Sequence, residues 1–166
     1  MKKQNIVRFT LAFACLTASA VILATAAGAA PIPPTPEGVW QVTGVAVDCQ
    51  THQDLGPPFT DLMTFTKQDG DKGTAIAQSY GPFPDNAYGP AQMGVWQKGP
   101  GHTFTIRSLA YKYDNNGQFN SYAVITGSGQ LTGANTFTET VTVQFYDPNG
   151  NLLFTLCGRG AATRFQ

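Results

Sequence analysis

Thr136-Phe137-Thr138-Glu139-Thr140-Val141-Thr142-Val143-Gln144-Phe145-Tyr146 is the stretch on which the fold turns. Phe137, Glu139, Val141, Val143 and Phe145 fall on one face; the threonines, Gln144 and Tyr146 fall on the other. An exchange at every position is the period of a half-buried strand, whereas a helix would scatter these residues around its axis. Asp147-Pro148-Asn149-Gly150 follows. Proline presets φ there and glycine takes the positive-φ position, so the chain turns back and residues 151–165 pair with the first strand as a hairpin.

Working outward, the same reading gives strands at 38–49, 58–66, 73–79, 92–98, 102–113, 118–131, 136–146 and 151–165. Asp69–Gly73, Gly99-Pro100-Gly101, Asp114–Gly117 and Gly133-Ala134-Asn135 supply tight connections between them. No segment repeats apolar residues at helical spacing, so no significant helix is expected beyond the N-terminal region. Short connections make consecutive strands antiparallel neighbours, which is a meander. Eight such strands must protect two edges, and closing the sheet removes both. The expected fold is therefore all-β: an antiparallel, eight-stranded, up-and-down barrel, with an open sandwich as the alternative.

Composition agrees. The 166 residues include 18 Gly, 11 Phe and 6 Tyr but only 12% charged residues, about half the usual share. Lys2, Lys3 and Arg8 precede an uncharged run from Phe9 to Ala30 that ends in Ala27-Gly28-Ala29. That order is a Sec-type signal peptide over 1–29, followed by a Pro-rich linker at 30–37 and one barrel domain at 38–166. Cleavage would leave no stable membrane anchor and place the protein in the periplasm or outside the cell. It would also reduce ten basic residues to seven against ten acidic ones, a net charge of −3. With no basic stripe, nucleic acid is excluded as a partner. Cys49 and Cys157 remain as an even pair in an oxidising compartment, which reads as a disulfide.

Gly38-Val39-Trp40 at the first strand, the up-and-down pattern and an arginine near the chain end look like the lipocalin/calycin plan of small exported barrels. The resemblance implies a structural latch in which Arg159 or Arg164 packs across Trp40. It also implies a small ligand held in the barrel interior.

The residues themselves offer few chemical motifs. There is no nucleophile elbow, and neither His52 nor His102 has partners at ligand spacing, so no metal or cofactor is expected. Glu139 alternates with apolar residues, and Asp61 shares a face with Phe59, Met63 and Phe65. Both are expected to point inward, where a carboxyl must be paired or keep its proton; together they are the candidate acid/base pair. The alternative places each near a rim. Ligand contacts are expected from Phe137, Val141, Val143 and Phe145, and from Tyr80, Phe83 and Tyr88 in the Pro-rich segment 80–91, which would form the rim. The leading reading is an exported barrel that binds a small apolar or amphipathic molecule. The alternatives are a motif-poor barrel enzyme, a cyclase or isomerase of the allene-oxide-cyclase-like type, and a ligandless envelope domain.

Overall fold

The computed structural model describes residues 31–32, 35–80, 91–114 and 116–165. The segment read as a signal peptide lies outside them, as do Phe83 and Tyr88. Eight strands follow one another: β1 (Gly38–Val47), β2 (Phe59–Asp69), β3 (Lys72–Tyr80), β4 (Gln92–Lys98), β5 (Thr103–Tyr113), β6 (Phe119–Gly133), β7 (Thr136–Tyr146) and β8 (Leu152–Arg164). Each pairs antiparallel with the next, and β1 pairs with β8 from Trp40↔Arg164 to Val47↔Cys157. The sheet is a closed meander barrel, and no helix occurs among the described residues.

Boundaries shift where a side chain captures the backbone. β1 stops at Val47, two residues short of the expected end, because the Asp48 carboxylate accepts hydrogen bonds from the N–H groups of Gln50 and Thr51. The hairpins after β5 and β7 share one device. Asp114 accepts from the N–H of Asn116 and Gln118, and Asp147 accepts from those of Asn149 and Asn151. Gly117 and Gly150 then take φ of 75° and 87°, a conformation in which a Cβ would be strained. These bonds favour the carboxylate, so Asp147 titrates below its ordinary value, first through the Asn151 side chain.

The inward faces divide the barrel along its axis. At one end Trp40, Phe65, Phe104 and Phe137 meet edge to face, with centroids 4.9 Å apart for Trp40–Phe137, 5.4 Å for Phe65–Phe104 and 5.3 Å for Phe104–Phe137. Trp96 and Leu131 complete this buried plug. Each indole N–H finds a carbonyl: Trp40 donates to Pro36 at 2.6 Å and Trp96 to Thr66 at 3.1 Å. Pro36 is itself buried and Ile32 packs against the core, so part of the Pro-rich segment helps cover the floor. Arg164 lies over the Trp40 ring at 4.2 Å and donates to the Glu37 carbonyl at 2.7 Å. Arg159, the other candidate for that position, instead pairs with Asp54 at 2.7 Å near the opposite end, in an exposed bridge. Arg164→Ala should therefore cost about 1–2 kcal/mol in urea unfolding. Arg159→Ala should cost less than about 1 kcal/mol. The reverse order would mean that the latch contributes nothing.

Small inward residues make room for the large ones. A Cβ on Gly129 would run into the Phe104 ring, and one on Gly73 would meet the Thr66 carbonyl oxygen and the Trp96 indole nitrogen. The Thr66 carbonyl is backbone and cannot rotate away. Gly73→Ala should thus destabilise by about 2 kcal/mol or more, read from the urea midpoint. An unchanged midpoint would show that β2 and β3 separate easily there.

Candidate functional site

Above the plug the inward side chains shrink and a cavity of about 260 Å³ opens. β3 contributes Ala75, Ala77 and Ser79, and β8 contributes Gly158. Met63, Ile106, Ile125, Val141, Val143, Phe145 and Leu156 make the rest of the wall mainly apolar. β1, β3, β5 and β7 all finish at this end. Cys49 and Cys157 join here in a disulfide with Cα atoms 5.0 Å apart, tying the end of β1 to β8 across the seam. Its sulfur bond fits an oxidising compartment.

Two carboxyls interrupt the apolar wall. Asp61 and Glu139 are 7% and 9% exposed, and both line the cavity. Asp61 stands beside Ser79 in the β2–β3 register, and the Ser79 side chain hydrogen-bonds it. Glu139 has no such neighbour, because its cross-strand partners are Gly129 on β6 and Gly160 on β8. Asp61 Oδ1 and Glu139 Oε2 are buried without a hydrogen-bond partner in the protein.

Electrostatics follow from that geometry. Burial raises the Asp61 pKa, partly offset by the Ser79 hydrogen bond. Burial also raises Glu139, with a further push from the Asp61 charge, to about 7. A charged carboxylate in a low-dielectric site is costly without a partner, so each group holds its proton longer than in water. Near neutral pH Glu139 is then divided between acid and carboxylate. It can give or take a proton, or accept a hydrogen bond from a molecule in the cavity.

The expected contact residues separate into groups. Val141, Val143 and Phe145 line the cavity, whereas Phe137 lies in the aromatic plug and takes no part in the lining. Tyr80 ends β3 with half its surface exposed and is not among the lining residues. Ser79, Ser108 and Gln92 are polar lining residues that the sequence reading did not select. A signal for the cavity wall was present in the alternation Gly73-x-Ala75-x-Ala77-x-Ser79, whose small inward residues leave space. Among the described residues, no group of three or more His, Cys, Asp and Glu converges as a metal site.

No family model matches the chain, and no curated protein matches it. Among solved structures it is similar to a redesigned β-barrel, at 17% identity and a TM-score of 0.50, over 78% of this chain and 91% of that one. That likeness concerns the fold.

Proposed function

We propose that this is an exported, lipocalin-like barrel that binds a small amphipathic molecule in its interior. One observation carries the reading: two buried carboxyls, Asp61 and Glu139, each with one oxygen that has no protein partner, line a mainly apolar cavity. Buried polar atoms are nearly always satisfied, so a pair of orphans in one cavity is what a site for a polar group looks like. The Gly38-Val39-Trp40 opening and the Arg164–Trp40 contact support the lipocalin-like plan. The basic N-terminus and the disulfide support export.

Native mass spectrometry of the protein purified from its own host tests the binding reading. A small molecule should ride with the folded chain and leave on denaturation. A fluorescent apolar reporter should also occupy the cavity and be displaced by that molecule. A bare protein that takes up no reporter would overturn the proposal.

A second reading is favoured by the Glu139 carboxyl, which titrates near neutral pH inside the cavity. Such a group suits proton transfer in an isomerisation or cyclisation. Turnover of the captured molecule that disappears in Glu139→Gln, while binding persists, would establish the enzyme over the carrier.

A further inference from the structure

We propose that the cavity takes a small organic cation: a protonated amine on an apolar body, with its ammonium against Asp61 and Glu139. This rests on the interior being a binding site and specifies what that site prefers.

Ionised carboxylates only accept hydrogen bonds, so the two carboxyls that line the cavity call for donors. An anion would meet repulsion there, and a hydroxyl offers a single donor. An ammonium offers three donors together with the opposite charge. Among the described residues no lysine lines the cavity, and the one arginine that does, Arg159, lies on Asp54 at 2.7 Å. The carboxyl pair is therefore left without a resident cation. Met63, Ala77, Ile106 and Val143 supply apolar surface for the body of the molecule. Size follows from volume. A cavity of ~150 Å³ holds benzene, so about 260 Å³ accommodates roughly ten non-hydrogen atoms.

Binding a cation must also move protons. The lining's titratable groups are Asp61 on β2 and Glu139 on β7, with Arg159 on β8 permanently charged and Cys157 held in the disulfide. The neighbours of Glu139 on β6 and β8, Gly129 and Gly160, carry no charge, nor does Val42 of β1 beside Gly160. An arriving ammonium favours the ionised carboxyls, so protons leave as it binds and affinity rises with pH toward neutrality.

The test is calorimetric titration of the disulfide-bonded protein with phenethylamine and with phenethyl alcohol, each in two buffers of different ionisation enthalpy. The amine should bind about ten- to hundredfold more tightly than the alcohol. It should release protons at about pH 7 and bind more weakly at about pH 5. Glu139→Gln should remove most of that preference, read as the ratio of amine to alcohol affinity. Asp61→Asn serves as the second variant should the first not fold. Equal affinities with no proton release would overturn the cation assignment and leave interior binding standing. Binding of neither compound at millimolar concentration would overturn both.

Discussion

Replacing Cys49 and Cys157 together by alanine should lower stability by ~4–5 kcal/mol. The cysteines are 108 residues apart, so their bond closes a long loop and removes much of the freedom of the unfolded chain. Its position also matters. β1 and β8 are the sequence-distant neighbours whose pairing closes the barrel, while every other ladder joins consecutive strands. The bond therefore braces the ladder with the greatest closure cost. Urea unfolding of the oxidised, reduced and doubly substituted protein measures this. Loss below about 1 kcal/mol would mean that seam contacts suffice and that the unfolded chain is already compact.

Glu139 should make the empty protein less stable as pH rises, the reverse of the usual carboxylate. Its ordinary value is 4.5 and its folded value about 7. Below 4.5 the proton is bound in both states and the contribution of Glu139 to stability is fully present. As pH rises toward 7 the unfolded chain ionises while the folded one retains its proton, and stability falls. Once the folded group also ionises, the loss levels at about 3 kcal/mol. Asp61, also raised by burial, acts in the same direction. Asp48 and Asp147 have lowered values and act oppositely, but only under more acidic conditions. Glu139→Gln should accordingly match the parent at about pH 4 and melt up to about 10 °C higher at about pH 8. Melts with parallel slopes against pH would place the Glu139 carboxyl in water and remove the basis of the binding proposal.

The barrel was legible because period two is a local signal. In β7 every second residue faces inward, and the hairpin at Asp147–Gly150 fixes the direction of β8. Glu139 and Asp61 were legible for the same reason, since a charge on an apolar strand face either reaches a rim or enters the core. How deep each residue lies along the barrel axis was not legible. Phe137 and Val141 share a face, yet one is sealed in the plug and the other lines the cavity. That difference depends on what seven other strands place at the same height, a matter of register. The choice between Arg159 and Arg164 was legible in part: five residues apart on an unbroken strand, they fall on opposite faces, with Trp40↔Arg164 on the inward face and Val45↔Arg159 on the outward one.

The plug at the Trp40 end makes the barrel a cup and not a tube. A molecule seated above it is backed by Phe65, Phe104 and Phe137 and has no path onward through the floor. Exchange must then be strictly sequential, with the occupant departing before a successor can seat. Excess competitor will lower occupancy without hastening departure.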